Sequence, residues 1–362
     1  MMKQVGKITF KKIQRISPSQ FYSMKNCAYK SLLAEAMNKK ALLPVSASAY
    51  YGTVLHKMLE LISKGQIRDE DEFNTTFQEQ IRLLEEVLVA DGYDFFVPIQ
   101  KRVKDFTMKK ILLKDHLRNI SEKQARAGNT KFYSEKWLES KDNLIGGKID
   151  LLIESEQETE ILDFKTGAIK QDVLDDDGEI GSEIKSEYQE QLKLYAYLYF
   201  ENTGRFPTKL SLVDLAKQKF TVPFSESECN AIFEESKLLI NSTNNCIDKG
   251  IFTANPSVAN CKYCLYRPAC SFYLKHIEND NSFNDVSGSI QNVVRFQNGN
   301  VNLYLESKGN IVTISNFPSS KFDELNNSRN KNISVFNLKK ESREYFYSAT
   351  KTTMIYESSQ KK

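Results

Sequence analysis

The chain has 362 residues, a hydrophobic fraction of 40% and a formal charge of +3 from 50 Lys and Arg against 47 Asp and Glu. This length and composition exclude small stapled scaffolds, disordered chains and collagen-like chains, and they predict a folded protein of about two domains. The near-neutral charge provides no overall basic field, so nucleic-acid binding would have to depend on local patches.

The first third of the chain is predicted to be helical. Ser17 and Pro18 carry the signals of a helix start, and we expect a helix of about 20 residues that includes Cys27. Residues 46–63 have apolar side chains at helical spacing around His56. Two further helices are expected, at residues 69–89 and, with a basic composition, at 100–126.

The middle of the chain changes to short alternating stretches that predict three strands, at residues 131–140, 143–155 and 158–167. An acidic stretch, 171–183, is expected to be a solvated loop. A helix near residues 185–200, a strand near 209–216 and a helix capped by Ser225 complete this part.

Beyond residue 282 the pattern is almost purely β, with five predicted strands and one helix between the third and fourth. That order matches an OB-like barrel. The expected domains are therefore a mixed α/β (α+β) domain over residues 1–281 and a small β-rich, OB-like domain over 282–362.

No stretch of the sequence reaches the roughly 18 apolar residues of a membrane-spanning helix, and the first residues lack the apolar core of a signal peptide. We therefore expect a cytoplasmic protein without a membrane partner. Three of the six cysteines lie between positions 261 and 270. In a reducing compartment, such clustering favours metal binding over disulfide formation.

Two carboxylates and a lysine are predicted to converge on neighbouring strands. Asp163 and Lys165 are two residues apart, so they point to the same side of a strand, and Asp150 on the preceding strand could meet them. Converging carboxylates favour a hard cation such as Mg²⁺ or Mn²⁺, and a lysine beside it can stabilise charge on a phosphate. An ordinary solvated Asp/Lys pair remains the alternative, although the apolar strands around these charges favour a site.

Three further residues are ambiguous by themselves. Gln191 and Tyr195 are four apart and project from one face of the predicted helix, but a mixed amphipathic helix also explains them. A single histidine such as His56 is more often a packed or surface residue than a ligand.

The spacing in CKYCLYRPAC is the sharper signal, because Cys261, Cys264 and Cys270 provide three thiolates that need a fourth ligand. Cys27 is the natural candidate, since Cys229 and Cys246 lie in a predicted helix and can be small buried side chains. Zinc and an iron–sulfur cluster both accept four thiolates, and the spacing leaves that choice open.

Taken in order, the motifs SPSQFYSMKNC, GTVLH, GGKID, DFK and QLKLY, followed by the three cysteines, cover residues 8–280. This set resembles the RecB-type branch of the PD-(D/E)XK nuclease superfamily. The resemblance is strongest to members with an iron–sulfur staple, such as AddB-type nucleases and CRISPR adaptation exonucleases.

The resemblance implies a restriction-endonuclease-like core with a helical N-terminal part, and it implies a role for each motif residue. A divalent metal, Mg²⁺ or Mn²⁺, would be bound by His56, Asp150, Asp163 and the carbonyl of Phe164. Lys165 would be the catalytic lysine, and Gln191 and Tyr195 would brace the active site and the nucleic-acid backbone. A 4Fe-4S cluster would be held by Cys27, Cys261, Cys264 and Cys270, with zinc as the lesser expectation.

The expected function is a metal-dependent DNA nuclease, in particular an exonuclease, acting on single-stranded DNA or double-stranded ends in DNA processing, repair, recombination or antiviral defence. No G-x-x-x-x-G-K-[ST] stretch occurs, so a helicase or defence-system partner would be a separate subunit. The alternative is a non-catalytic or zinc-stapled nucleic-acid-binding subunit that recruits such a partner.

Two surfaces are candidates for additional DNA contacts. Positive charge for phosphates could come from a basic stretch, although a solvated helix face explains it equally well: Lys101, Arg102, Lys104, Lys109, Lys110, Lys114 and Arg118. Aromatic side chains near the C-terminus could stack on unpaired bases or belong to the core: Phe296, Tyr304, Tyr345, Phe346 and Tyr347.

Overall fold

The computed structural model describes residues 2–125, 130–174, 180–278 and 282–358. The helices are α1 (Pro18–Asn26), α2 (Ala28–Ala36), α3 (Ala47–Ser63), α4 (Glu70–Ala90), α5 (Phe106–Ala125), α6 (Ser186–Thr203), α7 (Glu226–Lys249), α8 (Val258–Cys261), α9 (Ser271–Ile277) and α10 (Phe322–Asn326). Within these described ranges, no helix is long and apolar enough to cross a membrane.

The strands are β1 (Lys3–Gln4), β2 (Lys131–Glu139), β3 (Gly146–Glu154), β4 (Thr159–Lys165), β5 (Lys170–Leu174), β6 (Ile180–Ile184), β7 (Lys209–Asp214), β8 (Lys219–Thr221), β9 (Val286–Arg295), β10 (Val301–Ser307), β11 (Asn310–Phe317), β12 (Asn332–Phe336), β13 (Lys339–Lys340), β14 (Phe346–Ser348) and β15 (Met354–Glu357). The result is the expected mixed α/β fold with a β-rich C-terminal region.

The chain forms two compact units. The sheet unit comprises Ile13–Asn26 and Ser46–Lys249, and the barrel unit comprises Met1–Lys12, Cys27–Val45 and Gly250–Lys362. The predicted change of domain at 281/282 falls beside residues 279–281, outside the described residues, and it stays a prediction.

The sheet unit is built on a five-stranded sheet in the order β2-β3-β4-β7-β8. The central strand β4 is buried along almost its whole length, including the charged side chains of Glu160 and Asp163. β4 and β7 are parallel. A parallel pair needs a crossover connection, and α6 lies in it, which brings this helix against β2, β3, β4 and β7.

Two helices of the sheet unit, α3 and α4, begin where the sequence predicts. The Ser46 hydroxyl caps α3 by accepting from the backbone N–H of Ala49, and the Asp69 carboxylate caps α4. The expected helix at 100–126 starts later, at Phe106, whose ring stacks on Tyr51 at a centroid distance of 4.5 Å. Its expected end, Arg126, lies outside the described residues.

Two expectations for local structure are wrong. The helix predicted across Cys27 is broken there, because Cys27 has an extended backbone and is the N-cap of α2. The acidic stretch expected to be a loop contains β5 and β6, paired antiparallel from Lys170 to Ile184. Residues 175–179 lie outside the described chain.

The barrel unit has the strand order expected of an OB-like barrel. β9 pairs with both β10 and β12, β11 pairs in parallel with β14, and β12 pairs with β15, so the last part of the chain joins the two ends of the sheet. A Cβ at Gly288 would lie 2.5 Å from the carbonyl oxygen of Glu306, so the close approach of β9 and β10 at this point requires glycine. Alternate residues of each strand fill the interior, including Leu303, Leu305, Ile333 and Val335.

Candidate active site and cysteine cluster

Asp163 and Lys165 lie at the end of β4, on the same side of the strand, as their spacing predicts. Asp163 is only 6% exposed. Its Oδ2 atom lies 2.6 Å from Lys165 Nζ, yet it accepts no hydrogen bond from any residue that the structure describes. A buried carboxylate oxygen with this unused capacity is suited to a further cationic partner.

Asp150 comes from β3 and approaches the same strand end. One of its carboxylate oxygens accepts a hydrogen bond of 2.7 Å from the backbone N–H of Phe164. Burial, together with the negative charge of Asp163, raises the pKa of Asp150 to about 8. Two carboxylates that resist simultaneous ionisation are a donor set that a divalent cation would stabilise.

The helix α6 supplies the side chain that joins these charges. The amide of Gln191 donates to Asp163 Oδ1 at 2.8 Å and accepts from Lys165 Nζ at 3.0 Å. One turn further along, the Tyr195 hydroxyl donates to the carbonyl of Lys148 at 2.7 Å. A Cβ at Gly147 would lie 2.9 Å from that hydroxyl, so the second glycine of GGKID makes room for Tyr195.

His56 projects from α3 into the same region. Its side chain is exposed, but enough protein surrounds it that desolvation lowers its pKa, while the Asp163 carboxylate opposes this shift and Lys165 adds to it. Gly52 lies one turn earlier, and a Cβ there would be 3.2 Å from the hydroxyl oxygen of Thr166. The space beside this glycine is therefore occupied by the Thr166 side chain.

A cavity of about 230 Å³ opens beside these residues, and its walls include His56, Asp150 and Phe164. Glu135, which no sequence motif indicated, also faces it. Glu135 lies between the strand pairs Ser134↔Leu151 and Lys136↔Ile149, opposite Asp150 in an unshifted register, and its backbone is left-handed (φ 55°). Its position opposite Asp150 depends on the pairing of β2 with β3, so no local signal would have identified it.

The donor set fits a divalent cation in chemistry. The carboxylates of Asp150 and Glu135 and the imidazole of His56 line one cavity, and Asp163 on the adjacent strand adds a buried oxygen with unused capacity. Hard oxygen ligands select Mg²⁺ or Mn²⁺. In the described ranges, however, no three His, Cys, Asp or Glu side chains are close enough together to form a ready-made metal site. The Lys165 ammonium lies 2.6 Å from Asp163 Oδ2 and is already a cationic partner of that carboxylate.

The four cysteines predicted as ligands all belong to the barrel unit and line one cavity: Cys27, Cys261, Cys264 and Cys270. Cys27 caps α2, and Cys270 caps α9 by accepting from the backbone N–H of Tyr273. Cys229, in α7 of the sheet unit, is fully buried, in keeping with its expected role as a small core side chain.

Burial, followed by smaller effects from neighbouring thiols, raises the pKa of Cys270 to about 12, and burial also raises the pKa of Cys261 and Cys264. Ionising several of these thiols together therefore requires a cationic partner. Four thiols suit a zinc ion or a cluster in chemistry, but in the part of the chain that the structure describes no three of them are close enough together to form a ready-made metal site.

Arg267 holds the loop that carries Cys261, Cys264 and Cys270, called here the cysteine loop. Its buried guanidinium donates to the carbonyls of Cys261, Lys262 and Cys264 at 2.8 to 3.0 Å. The same group pairs with Asp285 at 2.8 Å. The loop is thereby joined to the residue that precedes β9 through a buried ion pair that no sequence motif indicated.

The basic stretch and the C-terminal aromatic residues are only partly available for contacts with DNA, because several of these side chains already pack or pair within the protein. In the basic stretch, Lys109 donates to the carbonyl of Thr166, Lys110 lies over the Phe77 ring and Lys114 pairs with Glu70. The side chain of Arg118 lies outside the described residues. Among the C-terminal aromatics, Tyr347 is core, whereas Phe296 is 43% exposed.

Comparison with known proteins gives one family match. A family model described as the PD-(D/E)XK nuclease superfamily matches residues 15–271. No curated protein matches the chain. Among solved structures, the chain is similar to one from Eubacterium rectale described as a "Putative exonuclease", with 10% identity, 73% of this chain and 88% of that chain covered, and a TM-score of 0.42. At that TM-score the likeness carries no further inference.

Proposed function

This chain belongs to the PD-(D/E)XK nuclease superfamily, and we propose that it is a metal-dependent deoxyribonuclease that hydrolyses phosphodiester bonds. The observation that carries the proposal is the buried contact of Asp163, Lys165 and Gln191 beside Asp150. A merely structural ion pair would not need a second buried carboxylate with a raised pKa facing a cavity.

In this proposal Mg²⁺ or Mn²⁺ is held by His56, Asp150, Asp163 and the carbonyl oxygen of Phe164. The bound cation would polarise the phosphate and lower the pKa of a water molecule. The backbone N–H of Phe164 fixes one oxygen of Asp150, which leaves the other free to act as a ligand.

The remaining residues act directly on the substrate or hold those that do. Lys165 carries a positive charge that can hold the attacking water and stabilise charge on the phosphate. Gln191 orients both Lys165 and Asp163 through one amide, and the ring of Tyr188 lies 4.3 Å from the Lys165 ammonium. Tyr195 fixes the carbonyl of Lys148, two residues before Asp150.

A cleavage assay tests this function. Wild type, Lys165→Ala and Lys193→Ala are compared on end-labelled single-stranded and double-stranded DNA with Mg²⁺ or Mn²⁺. Lys193 lies two residues after Gln191 on the same helix and pairs with Glu228, so it is a matched control. We expect Lys165→Ala to lose about 10²–10³-fold in rate; equal rates in all three proteins would contradict the proposal.

We further propose that the chain belongs to the RecB/AddB-like branch with a 4Fe-4S staple on Cys27, Cys261, Cys264 and Cys270, that it acts as an exonuclease, and that a separate helicase or defence-system subunit supplies DNA. The four cysteines around one cavity support a thiolate-bound metal. Anaerobic purification followed by iron, sulfide and zinc analysis tests the staple, since a colourless zinc protein would contradict the cluster.

A further inference from the structure

The single tryptophan of the chain, Trp137, is 45% exposed. It lies on β2, the edge strand of the sheet that carries Asp150 and Asp163. Tryptophan contributes a large apolar area and is usually well buried, so an exposed ring at the edge of a candidate active-site sheet indicates a ligand-contacting surface.

The position of this ring is supported by its neighbours. A Cβ at Gly146 would lie 3.1 Å from the ring atom Cζ2 and 3.3 Å from Cδ of Arg15. The first glycine of GGKID therefore makes room for both side chains. The guanidinium of Arg15 lies 5.3 Å from the ring centroid, and the ring N–H donates to Glu139 at 3.1 Å.

Strand register connects Trp137 with the candidate metal ligands. Trp137 pairs directly with Lys148, and directly paired residues lie on the same face of a sheet. Lys148 and Asp150 are two residues apart on β3, so they also share that face, at about 7 Å along the strand. The order across the surface is therefore Trp137, Lys148 and then Asp150.

The charges around the ring are two ion pairs, whose cations a phosphodiester backbone could also contact. The Lys148 side chain is 56% exposed, with its ammonium 3.5 Å from Glu135, and Arg15 pairs with Glu139. Glu135 and Glu139 are thus each paired with a neighbouring cation. An aromatic ring beside two cations is the combination that binds single-stranded nucleic acid, in which a base stacks and phosphates meet positive charge.

We propose that Trp137 is a stacking subsite for an unpaired base of single-stranded DNA next to the scissile phosphate, with Lys148 holding the intervening phosphate. The proposal rests on the nuclease function and specifies its substrate as single-stranded at this point. In a duplex interior both faces of each base are covered by neighbouring bases, so a ring could not stack there without displacing one.

Intrinsic fluorescence tests the subsite without any cleavage, because Trp137 is the only tryptophan. The cleavage-impaired Lys165→Ala chain is titrated with an oligothymidine of about 10 nucleotides, with the same length of abasic strand and with a blunt duplex. We expect strong quenching by the oligothymidine and little by the other two. No quenching, or equal quenching by the abasic strand or the duplex, would overturn the proposal.

Steady-state cleavage of single-stranded DNA provides the second readout. Trp137→Ala should raise KM about tenfold with little change in kcat, and Trp137→Phe should restore most of the loss because a ring remains. Lys148→Gln should raise KM, whereas Lys131→Gln, at the far end of the same strand pair, should not. An unchanged KM in Trp137→Ala would count against the subsite, while absence of cleavage in wild type would contradict only the nuclease function.

Discussion

The two candidate sites differ in how their charges are satisfied. In the candidate active site, Asp163 already has the Lys165 ammonium and the Gln191 amide as partners, and Asp150 has a backbone N–H. In the cysteine cluster, burial outweighs the cations Lys30 and Arg267 and raises the pKa of Cys264. The candidate active site is therefore organised by its own side chains, whereas the cysteine cluster would need a cationic partner to become charged.

Because of this difference, we expect substitutions at the two sites to change different properties of the protein. Loss of a metal ligand in the cysteine cluster should destabilise the barrel unit, and substitutions in the active site should change rate with a smaller effect on folding. Four measurements test the contrast.

Cys264→Ser should have the largest effect on the stability of the protein. A metal that joins Cys27 to the later cysteines closes a loop whose entropy alone amounts to about 5 kcal/mol of unfolding free energy. We expect loss of bound metal by elemental analysis and a large fall in Tm. Cys246→Ser, in α7 of the sheet unit, is the control and should keep its metal; retention of metal in Cys264→Ser would contradict the staple.

Arg267→Met should have the second-largest effect on stability, because it leaves the buried carboxylate of Asp285 without its cationic partner. Breaking a buried ion pair from one side costs about 3–5 kcal/mol of unfolding free energy. Urea denaturation measures it, with Arg343→Met on the Phe346 ring as a control. Equal stability of the two variants would show that the Arg267 contacts do not hold the cysteine loop.

Asp150→Asn should raise stability in metal-free buffer, and more so at higher pH. The folded pKa of Asp150, about 8, is above its usual value of 3.8, so the native state holds a proton that the unfolded state releases. Stability therefore falls as pH rises from about 4 to 8. Tm of wild type should decline over that range relative to Asp150→Asn, at about 2–4 °C per kcal/mol. Parallel pH profiles for the two proteins would refute this interpretation, and Mg²⁺ should stabilise wild type most at pH 8.

Tyr195→Phe should have the smallest effect, about 1 kcal/mol of unfolding free energy, from one lost hydrogen bond to the carbonyl of Lys148. Tyr199→Phe is a matched control on the same helix, because its hydroxyl donates to Glu154 at the same distance, 2.7 Å. Both should lose similar stability in urea, but only Tyr195→Phe should also slow cleavage. A similar cleavage rate for the two variants would argue against a positioning role for Tyr195.

Much of the fold could be predicted because its signals are local. Caps at Ser46, Asp69 and Ser225 mark helix starts, and strand alternation from residue 286 onward predicts the barrel strands in order. Local signals failed at the hairpin of β5 and β6, because its acidic composition predicts a solvated loop although the two segments pair as strands.

The sequence by itself determined the family motifs, the strand on which Asp163 and Lys165 share a face, and the set of cysteines available to a metal. Only the tertiary structure decided that Gln191 bridges Asp163 and Lys165, that Glu135 lies opposite Asp150 and faces the cavity, and that Trp137 lies beside Lys148. Periodicity and capping act within a few residues, whereas register, burial and ion pairing depend on segments that are distant along the chain.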